Sequence, residues 1–351
     1  MRRLVSLLLP LLCLLAGCER RPLVDVGNTH YVRVYLDEEL KNVTTGFYNE
    51  SYARPEYDSP DVLRVTLSDP TTDRVVAERY LRDRGSDERG NYYEGYISVK
   101  PGQYNLLAYN FGTTSSILRN EYTYAGAEAY TNEIASHLLN NLPSRGGRGF
   151  NTMTYTMKLV YDPDHLIVAR CEGVNVPLRS YIDTLRTASG DYFTGQSIVK
   201  SYYLQIRVKG IQWVSSAVSL LTGIAGSARL HDGGVNEDDP VTLYFEMRRS
   251  DDPSRTDDTA VIYTTFGMFG RLPDADNKLE VSFDFLTRDG RALSHEFDIT
   301  SKFSEPDAIE HQWLLLDDEI EISEPPDEPG SGGGFEPGVD DWEDVNSDII
   351  I

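Results

Sequence analysis

The sequence predicts an all-β chain built as two tandem β-sandwich domains, with a short helical insertion and a flexible acidic C-terminal tail. Apolar residues recur at every second position from Tyr31 to near Ile322, which is the period of a half-buried strand. Clusters of Asp, Pro and Gly interrupt these runs at the spacing of sandwich turns. Helical periodicity, by contrast, surfaces in one short stretch, Asn132 to Leu142, where Ile134, Leu138 and Leu142 recur at four-residue steps.

The chain opens with Arg2 and Arg3, followed by an apolar run from Leu4 to Leu15. That run is too short for a membrane-spanning helix and reads as the core of a secretory signal, residues 1–17. It closes on Leu15, Ala16, Gly17 and Cys18, the pattern of a bacterial lipobox. The thiol of Cys18 is the nucleophile such a site needs, since sulfur attacks a lipid donor better than a hydroxyl. Each buried methylene contributes about 0.8 kcal/mol, so two or three acyl chains fix a protein to a membrane. The mature chain is therefore expected to begin at Cys18, held to outer-membrane lipid, with residues 18–28 as a tether.

An N-terminal sandwich is expected over 29–171. Val32, Val34 and Leu36 share one face, and Leu63, Val65 and Leu67 another. Val75 to Leu81 follows, then a charged loop from Arg82 to Gly90. Tyr93, Gly95, Ile97 and Val99 alternate up to Pro101-Gly102, which turns the chain into Tyr104, Leu106, Ala108 and Asn110 as a hairpin. The helical insertion ends in the Gly-rich run 143–149, where Arg145 and Arg148 form a candidate loop for an Arg-specific protease. Alternation returns at Met153 to Tyr161, and Leu166 leads to Cys171, whose apolar surroundings suit a buried small hydrophobe.

A looser connection, 172–197, leads to a second sandwich over 198–322. Tyr202, Leu204, Ile206 and Val208 form a clean two-sided strand. Val214 to Ala228 is apolar without alternation, which suits a short helix or an irregular buried cap. Strands resume around Val241–Met247, Ala260–Phe266, Leu279–Phe285, Leu293–Ile299 and Trp313–Ile322. Residues 323–340 are a Pro/Gly-rich acidic linker that cannot pack. Beyond it, the segment 341–351 carries Trp342, Val345, Ile349, Ile350 and Ile351. A solvated tail has no use for that apolar end. Either it returns to its own sheet or it adds a strand to a neighbouring subunit.

The net charge of −23 is concentrated at one end: sixteen Asp and Glu and no Lys or Arg follow Lys302. Such acidity argues against nucleic acid, which needs a basic surface, and against a polybasic contact with anionic lipid. The six histidines lack zinc spacing, and after Cys13 and Cys18 only Cys171 remains, so neither a metal site nor a disulfide is indicated. Asp232 to Asp239, and Asp274 with Asp276 and Glu280, have oxygens for calcium but read better as hairpin turns. There is no Gly-x-Ser-x-Gly elbow and no phosphate loop. No catalytic residue, metal or cofactor is predicted, and the protein reads as a non-enzyme.

Three stretches together resemble one family: Cys18 to Leu23, Pro101 to Asn110, and Leu220 to Ser227. The family is that of Bacteroidetes lipoproteins related to fimbrillin anchoring subunits, close to a branch catalogued as a domain of unknown function. The resemblance covers nearly the whole mature chain. It implies transthyretin-like sandwiches, a lipidated N-terminus, and an anchor or assembly role in a fimbria-like structure with fimbrial subunits as partners. The acidic linker and its Trp- and Ile-bearing end depart from the family pattern. The expected function is thus an outer-membrane lipoprotein that holds partners by strand pairing, facing the surface or the periplasm. The alternative is a surface lipoprotein that binds carbohydrate or another extracellular ligand, which calls for aromatic rings on an exposed sheet face or loop end.

Overall fold

The computed structural model describes residues 28–37, 59–110, 113–134, 158–178, 184–250, 258–273 and 278–326. These residues form β1 (Thr29–Leu36), β2 (Leu63–Ser68), β3 (Val75–Leu81), β4 (Asp83–Asp87), β5 (Gly90–Ser98), β6 (Gly102–Asn110), β7 (Ser116–Arg119), β8 (Glu128–Thr131), β9 (Lys158–Tyr161) and β10 (Ile167–Val176). They continue with β11 (Phe193–Ser197), β12 (Lys200–Lys209), β13 (Val214–Ala225), β14 (Ser227–Arg229), β15 (Pro240–Glu246), β16 (Arg248–Arg249), β17 (Thr259–Met268), β18 (Glu280–Thr287), β19 (Ala292–Asp298) and β20 (Trp313–Glu321). One short helix, α1 (Pro306–His311), starts on a proline and ends at Gln312 in the left-handed region. The all-β expectation is borne out.

Eight strands make the first sheet, in the order β3-β2-β6-β10-β11-β1-β5-β4. Its two halves meet where Ile167 and Val168 pair with Ser197 and Gln196. Side chains from both halves, among them Val32, Val34, Val65, Leu67, Leu106 and Phe193, share one core. A second core lies with the sheets β16-β17-β12-β20 and β19-β18-β13-β15-β9 and gathers Leu204, Ile206, Leu221, Leu243, Phe266 and Phe283. Each fully buried side chain of this kind contributes about 1.5–3 kcal/mol. A third cluster joins the two: Leu107, Tyr109 and Val168 of the first sheet meet Ala129, Ala228 and Phe269. The small sheet β14-β8-β7 belongs to that junction.

Several expectations need correction. Pro101-Gly102 does not close a hairpin: β5 pairs with β1 and β4, while β6 pairs with β2 and β10, so the turn carries the chain between sheet halves. The charged loop 82–90 contains β4, held against β5. The looser connection 172–197 contributes the end of β10 and the whole of β11, which runs parallel to β1 at Val34 to Leu36. Strand β9, expected inside the N-terminal sandwich, runs parallel to β15 in the other sheet system.

Val214 to Ala225 is neither helix nor cap but the strand β13, flanked by β18 and β15. Both of its faces are covered. Leu221 and Ile224 enter the main core, while Leu220 packs with Ile134, Leu159 and Tyr244 on the other side. A strand buried on both faces has no reason to alternate. Asn132 to Ile134 is not helical either, since Glu133 bridges to Val160 and Ile134 donates its amide to Leu159. The rest of the expected helix, 135–142, lies outside the described residues.

Candidate functional site

Cys18, Arg145, Arg148, Trp342, Val345, Ile349, Ile350 and Ile351 all lie outside the described residues. What the structure supplies instead is a set of sheet edges and one polar sheet face. Among the described residues no His, Cys, Asp or Glu cluster could hold a metal ion, and no helix is long and apolar enough to cross a membrane. Cys171 is half-buried and burial pushes its thiol pKa up. Asp232 is engaged in a turn, accepting from Arg229 and from the Gly234 amide.

Three edge strands of seven residues or more have no described strand beyond them, β3, β19 and β20. β20 carries Asp317, Asp318, Glu319 and Glu321, and its register against β12 shifts between Gln205 and Arg207. Charges and irregular register are devices that discourage a further strand. β19 is different. It is seven residues long and exposes Ala292, Ser294, Glu296 and Asp298. Between them Leu293 and Phe297 are only partly buried against the main core, which leaves apolar surface for an added strand to cover.

The polar face is the outer side of β1, β5, β4 and β11. β1 turns Val32 and Val34 inward, and the same alternation turns Tyr31, Arg33 and Tyr35 to the opposite face, where Tyr31 and Arg33 are half-buried and Tyr35 is buried beneath its neighbours. Register sets Tyr31 opposite Tyr96, Arg33 opposite Glu94 and Tyr35 opposite Tyr92. Arg33 donates to Glu94 through Nε at 3.0 Å and Nη2 at 2.7 Å, and its guanidinium lies 3.9 Å over the Tyr92 ring. The Tyr35 hydroxyl donates to Asp87 at 2.6 Å. That bond, joined by the Arg89 amide, pulls the Asp87 carboxyl below its ordinary pKa. Burial, reinforced by a hydrogen bond with Glu94, pushes the Tyr31 hydroxyl up to about 12. It therefore stays a neutral phenol at any physiological pH.

Tyr192, from the loop before β11, stands 5.1 Å from Tyr35 and is the meeting point of three guanidiniums. Arg186 lies 3.6 Å over its ring, Arg89 at 5.1 Å and Arg33 at 5.9 Å. Tyr31 and Tyr96 form an edge-on pair at 5.2 Å, and Tyr96 is 60% exposed. The inward half of β1, Val32, Val34 and Leu36, announces the core. The outward half, with Tyr31, Arg33 and Tyr35 alternating as regularly, carried the signal for this face.

A family model described as Domain of unknown function (DUF5119) matches residues 64–246. A Bacteroides ovatus protein that bears the name of a fimbrium anchoring subunit, Fim4B, is 26% identical, covering 95% of this chain and 94% of that one. The crystal structure of a Bacteroides ovatus protein described as an adhesin superposes with a TM-score of 0.55 at 22% identity, over 88% of this chain and 98% of that one. The fimbrial anchor protein Mfa2 from Porphyromonas gingivalis gives a TM-score of 0.46 at 12% identity, over 84% and 90% of the two chains.

Proposed function

The chain belongs to the family described as Domain of unknown function (DUF5119), and from that premise we propose that it is a non-enzymatic anchor or assembly subunit of a fimbria-like structure on the bacterial envelope. The observation that carries this reading is the end-to-end match to a relative named as a fimbrium anchoring subunit. In this reading an acylated Cys18 tethers the chain to the outer membrane, and two β-modules, 29–197 and 198–322 with β9 lent to the second, hold the partner. The partner is gripped by strand pairing. The edge of β19 supports such a mode at its Ala292 and Ser294 end, ahead of the charges Glu296 and Asp298, because backbone groups and the half-covered Leu293 lie together there. The segment 341–351 is the strand this chain would offer in return.

Two measurements test it. Metabolic labelling with a palmitate analogue should tag the wild-type chain and not Cys18→Ser; equal tagging of both removes the lipid tether from the account. Co-purification of fimbrial subunits should fall at least tenfold on deleting 335–351 or on introducing Ala292→Lys with Ser294→Lys at the β19 edge. Unchanged recovery with both changes would rule out strand pairing.

A further inference from the structure

We infer that the outer face of β1, β5 and β4 is a binding platform for an acidic oligosaccharide, with sugar rings lying on Tyr96 and Tyr31 and carboxylates held by Arg186 and Arg89. The argument begins with what the face lacks. Its outward positions are Tyr31, Arg33 and Tyr35 on β1 and Tyr92, Glu94 and Tyr96 on β5. β4 adds Asp83, Gly85 and Asp87, and β11 adds Thr194 and Gln196. None of these is aliphatic. Tyr and Arg also anchor protein interfaces, where they close over a fully desolvated apolar core, and no such core accompanies them on this face. Here every ring carries a hydroxyl and every gap between rings is polar. That composition matches a ligand with apolar C–H faces and a rim of hydroxyls, which is a pyranose.

The charges narrow the class. Arg33 is committed to Glu94 and Asp87. Arg89 and Arg186, in contrast, form no ion pair within 4.0 Å among the described residues; Arg89 acts on Asp87 only at longer range, Arg186 donates through Nη1 to the Gly190 carbonyl at 3.5 Å, and both lie against Tyr192. Two guanidiniums stacked on a ring are pre-oriented, and each retains donors for a planar carboxylate. They stand out in a chain of net charge −23. Tyr92 and Tyr96 are four residues apart on one strand, about 13 Å, so the stacking end and the cationic end lie along one line. Arg33 and Glu94 occupy the middle, fixed to each other and able to meet hydroxyls of either polarity.

The test is calorimetric titration of the full chain with oligogalacturonate and, separately, a neutral cello-oligosaccharide of the same length. The expected result is measurable binding of the uronate only, weakened as ionic strength rises. Arg186→Gln and Tyr96→Ala should each lower its affinity at least tenfold, with unchanged melting temperatures showing that both variants fold. Deleting 335–351 should leave it intact, which separates this proposal from the strand-pairing reading. The proposal is overturned by equal binding of the neutral sugar, by no binding of the uronate, or by full affinity in both variants. It is also overturned if the two variants lose fimbrial subunits rather than the sugar, because the face would then be a protein interface.

Discussion

His165 shows how one residue ties the junction between the two cores to pH. Its backbone carbonyl accepts from Asn110, whose side chain also receives the Ile167 amide, so the residue is fixed at the start of β10. Burial pulls its imidazole down to about 4, well below the value of about 6.5 expected in an unfolded chain. The folded state therefore binds fewer protons than the unfolded state between those values. Its contribution is complete above pH 6.5 and is lost as the pH falls toward 4. At pH 5 the loss is about 2 kcal/mol from this group. His30 and His295, also lowered by burial, act in the same direction. Urea unfolding at pH 7 and pH 5 should show the drop, and His165→Gln should flatten it. A wild-type midpoint that does not move would contradict the assignment. At this scale the sequence was informative only in part. The outward rings of β1 were legible from alternation, but Tyr192 and Arg186 lie more than 150 residues from Tyr31 and Arg33 along the chain. The parallel pairing of β11 with β1, and the Leu185 amide that donates to the Tyr31 carbonyl at 2.7 Å, bring them together.

Strands that face water on one side were legible, and strands buried on both were not. β12 alternates because Leu204, Ile206 and Val208 enter the core while the opposite face is polar, with Arg207 and Lys209 exposed and Tyr203 and Gln205 buried but bonded to each other. β13 was misread because its neighbours β18 and β15, together with Ile134 and Leu159, leave no polar side for the pattern to show. Its central place makes it the most demanding position in the fold. Leu221→Ala should cost about 2–5 kcal/mol, as for other fully buried leucines. Ala292→Ser, at the exposed edge of the same sheet, should stay within about 0.5 kcal/mol. Chemical denaturation compares them directly, and similar costs would argue against a buried central β13. Turn chemistry misled in another way. Pro101-Gly102 correctly signalled a reversal, but a reversal can lead to the opposite half of a sheet as well as to the adjacent strand, and local residues do not choose between them.

For the whole molecule, composition and spacing predict a tandem outline, but they do not predict how the sheet systems are joined. Strand β9 leaves the first half to pair with β15, and β14 leaves the second to pair with β8. Glu128 fastens the second exchange: it accepts from Arg119 on β7, from Ser227 on β14 and from Asn236 in the following loop. Lys158 pairs with Asp239 at the first. Each half thus lacks a piece of backbone that the other supplies. Expressed separately as 29–197, which keeps β10 and β11 with the first sheet, and 198–322, the two should be insoluble or molten, while mixing or co-expression should recover a folded complex. Two independently folded, monomeric halves by near-UV circular dichroism would refute this.

The reciprocal exchange of β9 and β14 bears on mechanics. A chain pulled from its two ends fails at its weakest seam, and a seam between two self-sufficient beads would be only a peptide linker and a patch of contact. Here the seam is a splice. To part the halves, tension must shear the parallel β9–β15 ladder and strip β14 from β8 together, so the chain should yield in one high-force event instead of two gentle ones.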